Sequence, residues 1–452
     1  MPAALDQVFK AYDVRGVYPD QLDEELAERV GRAFVALTGT GTLAIGQDMR
    51  PSSKPMADAL AAGAMAQGAD VLRVGLCSTD MLYYVSGALD VAGVMLTASH
   101  NPARYNGLKL CRPGAVPVGE ESGLADIKRM VAAGEPATPS PHRGQERQAD
   151  DLLERYAAHV RGFADLGSLR PLKVVADAGN GMAGHVVPAI FSGLPLQLVS
   201  MYFELDGNFP NHPADPLNPE NLRELQARVV AEGADVGLAF DGDADRVFLV
   251  DEQGATVPSS LVGALVARLM CEREPGATVL YNLICSRVVP ETIREAGGVP
   301  VRTRVGHSFI KGVMAETGAI FGCEHSGHYY FRDNYRADSG LIAALVALDA
   351  LSRAGRPLSE VLAPYRRYAA SGEINRRVDG DPRKVIDEVA ARYPADAADF
   401  ADGLTVEGGD WWFNLRPSNT EPLLRLNVEA ATEAEMARVR DEVLEAVGGE
   451  PA

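Results

Sequence analysis

Three aspartates at alternate positions, Asp241, Asp243 and Asp245, stand in a short connection between two apolar runs, 236–240 and 247–250. Runs of this length bounded by polar residues read as buried strands. Any fold of this chain must therefore gather three like charges at a strand end, which calls for a cation. Carboxylate oxygens are hard ligands that suit magnesium or calcium. An EF-hand reading aligns Asp241, Asp243, Asp245 and Glu252 with calcium-loop positions one, three, five and twelve. It fails because Arg246 stands where that loop needs glycine, and because 247–250 is strand-like. Magnesium keeps room for water and a phosphate oxygen, and the planar fork of Arg246 suits a phosphate beside it.

A second feature lies far upstream. The apolar run 91–96 reads as a strand that delivers Thr97-Ala98-Ser99-His100-Asn101-Pro102 at its end. Taken alone, Ser99 and Asn101 could simply make a turn before Pro102. Beside an acidic cation loop, Ser99 becomes a candidate covalent site, and such a hydroxyl needs activation by a base or a metal. His100 and Lys109 are near in sequence.

Strand-like runs alternate with amphipathic stretches, which predicts α/β layers with largely parallel strands. Runs 42–46, 71–75 and 91–96 form a first pattern, with an alanine-rich helical segment around 56–65. Residues 132–150, rich in proline, glycine and charge, read as a linker. A second pattern starts at 173–177 and ends near 251, and a third runs from 258 through a helix over 339–350. After 370, strands at 373–378, 404–407, 411–415 and 423–428, with helices near 383–391 and 433–447, predict an α+β domain. Gly179-Asn180-Gly181-Met182-Ala183-Gly184 satisfies a dinucleotide-binding spacing, with Glu204 and Asp206 downstream. The same glycines serve any tight strand-to-helix turn, and nothing else in the chain supplies redox chemistry.

At 452 residues the chain is too long for one core and should divide into several domains. Its net charge of −19 disfavours nonspecific binding to nucleic acid or an anionic membrane. An anionic substrate must then be drawn in by local basic groups. The N-terminus carries no basic segment with an apolar core, and no apolar run reaches bilayer length, so a cytoplasmic protein is expected. The five cysteines are scattered and form no CxxC pair, as for small buried residues in a reducing compartment.

The serine and aspartate segments, with Tyr105-Asn106-Gly107-Leu108-Lys109, Gly322-Cys323-Glu324-His325-Ser326-Gly327-His328 and Arg416-Pro417-Ser418-Asn419-Thr420-Glu421-Pro422, resemble the signature loops of the α-D-phosphohexomutase family. The likeness is greatest to its bacterial phosphomannomutase/phosphoglucomutase branch. The segments follow the family order and span nearly the whole chain. The resemblance implies three related α/β domains with mixed sheets plus a C-terminal α+β domain around a central cleft. These would be 1–150 with a phosphoserine loop, 151–251 with a metal loop, 252–370 with a sugar-binding loop and 371–452 with a phosphate-binding loop.

It further implies an isomerase-class intramolecular phosphotransferase, a monomer or homodimer, that interconverts mannose 6-phosphate and mannose 1-phosphate and also acts on glucose phosphates. In that mechanism Ser99 carries a phosphoryl group while Asp241, Asp243 and Asp245 hold Mg2+ against it. Hexose 1,6-bisphosphate is the activator and intermediate. Lys109 would serve as general acid/base or charge stabiliser, His100 would contact the phosphoserine, and His328 would approach the reacting hydroxyl. Glu324 and Ser326 would bond sugar hydroxyls, with His307, Tyr12 and Arg15 as further cleft positions. Arg416, Ser418, Asn419 and Thr420, joined by Arg425, would hold the distal phosphate. Gly372 is a candidate hinge before the last domain, from its backbone freedom.

Departures from the family pattern bear on substrate choice. Ile284 stands where dual-specificity relatives carry a lysine, and Gln47 where many carry arginine. Asn419 is similar to the mannose and glucose enzymes rather than to the phosphoglucosamine branch. Phosphoglucomutase, phosphoglucosamine mutase and a non-catalytic phosphosugar-binding protein are the competing readings.

Overall fold

The structure is a computed structural model that describes residues 2–418 and 423–451. In the first sheet, parallel strands Asp70–Leu76, Thr42–Gln47 and Ala92–Leu96 lie side by side. Tyr105–Arg112 then doubles back antiparallel along Ala92–Leu96, with Val14–Val17 beyond it. The second sheet repeats the plan, with Leu196–Met201, Leu172–Asp177 and Val236–Phe240 parallel and Val247–Asp251 antiparallel. The third does so again, with Val299–Thr303, Thr278–Asn282 and Phe321–Cys323 parallel and Tyr329–Phe331 antiparallel. A fourth sheet is built around the antiparallel pair Trp411–Pro417 and Leu423–Ala430. Three related α/β units with mixed sheets and a C-terminal α+β unit make up the chain.

The shared plan positions the site. In each of the first three sheets, the last parallel strand turns straight into an antiparallel partner. Those turns hold Ser99, the three aspartates, and Glu324 to His328. The fourth candidate loop likewise joins two antiparallel neighbours. A hairpin fixes its loop by the ladder on either side, so the polar groups of the first three turns are held by rigid elements.

The segment expected to be a linker does not run free. Glu146–Gln148 adds a parallel edge strand to Asp70–Leu76. The amide of Val71 donates to the Gln145 carbonyl at 2.8 Å, and the Gln145 amide to the Asp70 carboxylate at 2.8 Å.

One continuous apolar core passes through the first three units. It joins Met81 and Leu82 to Tyr156, Val186 and Leu238, and these to Val266 and Leu345. The helices Ser259–Arg273 and Gly340–Ala354 are buried around most of their circumference, as their nearly unbroken apolar sequences require. The last unit keeps a separate core around Phe413, Leu426 and Val443. It docks on the third unit through polar groups. Arg287 donates to the Gly408, Gly409 and Trp411 carbonyls and to Glu407, and the Val305 amide donates to Asp402. Among the described residues, no helix is long and apolar enough to cross a membrane.

Candidate active site

Ser99 sits at the tip of the first hairpin with φ +49°, a left-handed conformation that a serine rarely adopts. Backbone strain of this kind persists only where the surroundings impose it. Here the imposing group is Arg50, which is buried. Its guanidinium donates to the Ser99, Asn101, Pro102 and Tyr105 carbonyls at 2.6–3.0 Å and to Asp48 at 3.1 Å. Arg15, on the edge strand Val14–Val17, adds a 2.7 Å bond to the Asn101 side chain.

The tip of the second hairpin meets the first. Ser99 Oγ donates to Asp241 Oδ2 at 2.7 Å, Arg246 donates to Ser99 Oγ at 3.1 Å, and His100 Nδ1 lies 3.2 Å from the same hydroxyl. Arg246 also contacts His100 and reaches Asp241 at 3.1 Å. Lys109, on the return strand of the first hairpin, donates to Asp243 Oδ2 and Asp245 Oδ2, each at 2.7 Å. Thr79 Oγ1 donates to Asp243 Oδ2 at 2.5 Å.

The electrostatics follow from this geometry. Burial and then the neighbouring Asp245 push Asp241 well above the usual carboxylate range, against the pull of Arg246. Burial acts the same way on Asp243 and Asp245, but Lys109 outweighs it and holds both below that range. Burial would lower Lys109, and the two aspartates reverse this and hold it well above its ordinary value. Three buried carboxylates with their ligand atoms within 4.8 Å of one another are not fully neutralised by one lysine and one arginine. Asp243 Oδ1 and Asp245 Oδ1 are buried without a hydrogen-bond partner. An all-oxygen set with two orphaned acceptors fits a small hard cation such as magnesium. Glu252, the acid an EF-hand would need, instead binds the amide and hydroxyl of Ser359.

The acidic loop is walled by helix starts from three units. Thr79, which opens Thr79–Leu89, donates its amide to the Asp243 carbonyl at 3.0 Å. Met182, just before Ala183–Phe191, donates its amide to the Gly242 carbonyl at 2.9 Å. A Cβ at Gly181 would stand 2.7 Å from that carbonyl oxygen, and one at Gly340 would stand 2.6 Å from the Arg246 carbonyl carbon. The glycine spacing that mimics a dinucleotide motif thus serves a close backbone approach to the aspartates.

The third hairpin borders the same place. His328 Nε2 lies 3.8 Å from Asp245 Oδ1, and its Nδ1 lies 2.9 Å from Ser326 Oγ. Glu324 is buried and accepts from Asn282, the Gly306 amide and Tyr330 at 2.7–3.2 Å. Tyr12 packs edge-on to Phe309 with ring centroids 6.1 Å apart. His307 lies in the helix His307–Thr317, and its side chain lies outside the described residues.

In the last unit, Arg416 and Arg425 converge on Glu373, at 3.0 and 3.1 Å, and Arg425 also donates to Ser418 at 3.3 Å. Asn419 and Thr420 lie outside the described residues. His325 of the third hairpin faces this pair, where burial lowers its pKa against the pull of Glu373. Ser99, His100, Lys109, Arg246, His328 and the aspartates therefore form one cluster, and Arg416, Ser418 and Arg425 a second. Arg50, Thr79 and Glu373 belong to these clusters without having been singled out by the sequence. Only Arg50 had a signal, its place just after a strand beside Asp48.

Known proteins resemble this chain over nearly its whole length. Residues 6–137, 154–254, 258–368 and 373–446 match, in order, alpha/beta/alpha domains I, II and III and the C-terminal domain described as phosphoglucomutase/phosphomannomutase. A protein of Xanthomonas campestris pv. campestris named "Phosphohexose mutases" is 41% identical over 437 residues, covering 96% of this chain and 97% of its own. A phosphomannomutase of Escherichia coli (strain K12) is 38% identical over 446 residues, with 96% and 97% covered. A crystal structure of a phosphoglucomutase/phosphomannomutase family protein from Burkholderia thailandensis superposes with a TM-score of 0.88 at 34% identity, covering 98% of this chain and 99% of that one.

Proposed function

This chain belongs to the phosphoglucomutase/phosphomannomutase family, and from that premise we propose that it interconverts mannose 6-phosphate and mannose 1-phosphate, also accepting glucose phosphates, through a phosphorylated Ser99 and a hexose 1,6-bisphosphate. The observation that carries this reading is the meeting of Ser99 Oγ, Asp241 and Arg246 within 2.7–3.1 Å of one another. A serine hydroxyl, a cation site and a guanidinium fork at one point are what phosphoryl transfer asks of a protein, since it needs positioning and charge stabilisation above all.

Asp241, Asp243 and Asp245 would hold magnesium beside Ser99, and the bound cation would neutralise charge on the phosphoryl oxygens. Arg246 and His100 contact the serine oxygen and orient the group it carries. Lys109, kept cationic by two aspartates, stabilises the charge that develops on transfer. His328, oriented by Ser326, takes the proton of the attacking sugar hydroxyl. Glu324 and Ser326 bind sugar hydroxyls, with Tyr12, Arg15 and His307 as further substrate-binding residues. Arg416, Ser418, Asn419, Thr420 and Arg425 grip the phosphate that is not being transferred, and this grip must accept either end of the sugar. Ile284 supplies no cation where dual-specificity relatives carry a lysine, which argues against equal use of the two sugars. We place the enzyme in the cytoplasm, in keeping with five buried cysteines that are all free thiols.

The test is conversion of mannose 1-phosphate and glucose 1-phosphate to their 6-phosphates, with magnesium and a trace of hexose 1,6-bisphosphate, in wild type and Ser99→Ala. Turnover by wild type alone supports the phosphoserine route, and the ratio of the two rates gives the preferred sugar. No turnover of either sugar by verified phosphorylated protein refutes the assignment and moves glucosamine phosphate or a binding role forward.

A further inference from the structure

Asp243 Oδ2 accepts two hydrogen bonds, from Thr79 Oγ1 at 2.5 Å and Lys109 Nζ at 2.7 Å, while its Oδ1 accepts none. Two short donors occupy the lone pairs of Oδ2, so Asp243 has one oxygen to offer a cation. Asp245 is divided less strictly, with Oδ2 accepting from Lys109 and Oδ1 accepting no hydrogen bond but lying 3.8 Å from both Arg246 Nε and His328 Nε2. Thr79 comes from the first unit, across the domain boundary from the aspartates, and is itself fully buried. Its amide clamps the Asp243 carbonyl at the same time, so the hydroxyl approaches from a fixed position.

We propose that Thr79 is a positioning residue that makes Asp243 a one-oxygen ligand and thereby tunes the triad toward magnesium and against calcium. The inference rests on reading the triad as a cation site. Magnesium demands near-octahedral geometry with single-oxygen ligands at short range, whereas calcium takes a larger shell and readily chelates both oxygens of a carboxylate. Groups behind a ligand that fix its orientation commonly change metal affinity by 10- to 100-fold when removed. Thr79→Val keeps the shape and deletes the donor. Asp243 Oδ2 then keeps only Lys109, the carboxylate gains freedom to turn, and a second oxygen becomes available to a larger ion.

The experiment is calorimetric titration of MgCl2 and of CaCl2 into the full chain, as wild type, Thr79→Val and Thr79→Ser, with the phosphorylation state of Ser99 checked by intact mass. The expected result is magnesium binding weakened about tenfold in Thr79→Val, with calcium binding changed by less than about threefold, so that discrimination narrows. Thr79→Ser, which restores the hydroxyl, should bring back wild-type selectivity. The magnesium concentration giving half-maximal turnover should shift in parallel, with kcat at saturating magnesium changing less. Wild-type affinity and selectivity in a folded Thr79→Val overturns the role of Thr79. So does a Thr79→Ser protein that folds yet behaves like the valine variant. Absence of divalent binding in wild type overturns the cation site itself, and with it this proposal.

Discussion

Arg50 supports the Ser99 loop from beneath. Five donors to four carbonyls and one carboxylate, all from one buried side chain, hold Ser99 in a conformation it would not choose. Arg50→Met preserves much of the volume but leaves the buried Asp48 without its counter-charge, though still bonded to Ser53 and the residue-50 amide, and leaves several carbonyls without a donor. Its expected cost is about 3–5 kcal/mol, measured by denaturant unfolding followed by circular dichroism, with interconversion lost even where the protein still folds. The sequence displayed the candidate site residues because they cluster in short runs such as 97–102 and 241–246. It concealed their supports. Arg50 finds Ser99 across 49 positions and Thr79 finds Asp243 across 164, and pairings at that distance leave no local pattern. Glu373, 43 and 52 positions from the arginines it joins, was hidden for the same reason.

Among the elements, strands were legible wherever an apolar run met a polar boundary. Leu404–Glu407 and the helix Glu433–Val447 fall where periodicity places them. Glu146–Gln148 was illegible because an exposed edge strand of charged and polar residues has no apolar signature. That each candidate loop is a hairpin joining antiparallel strands was also unreadable, since strand order is decided by tertiary pairing. Two glycines test the element scale in opposite directions. Gly372 stands at φ +69° in the irregular stretch of Ala369–Arg377, so Gly372→Ala should cost about 1 kcal/mol from conformation alone. An added methyl there meets nothing within 4 Å, which removes a clash as the cause. Gly312 lies inside the helix His307–Thr317, with open space around it, so Gly312→Ala should gain roughly 0.8 kcal/mol. Melting temperatures should therefore move down and up respectively. Closure kinetics unchanged in Gly372→Ala would remove it as a hinge.

Across the whole molecule, Asp349 ties the second unit to the third. It accepts from Ser168 at 2.6 Å and the Asp165 amide at 3.1 Å on one side, and from Arg273 at 2.8 Å and Arg353 at 2.7 Å on the other. Burial opposes its ionisation, but the bonds from Arg353, Ser168 and Asp165 prevail and hold its pKa below the ordinary 3.8. A carboxylate depressed in the folded state contributes stability above its unfolded pKa and loses it as pH falls through the folded value. Asp349→Asn should therefore lower stability by about 2 kcal/mol at neutral pH, with the difference from wild type shrinking as the pH drops through and below 3.8. Denaturant midpoints across that range would measure it, and a pH-independent difference would rule the linkage out. The walls around the acidic loop bear on biosynthesis. The serine emerges from the ribosome early and the aspartates midway, but the last wall, at Gly340, arrives only with the third unit. A growing chain therefore holds Ser99 and the aspartates in an unfinished cradle until the residues around Gly340 have been made.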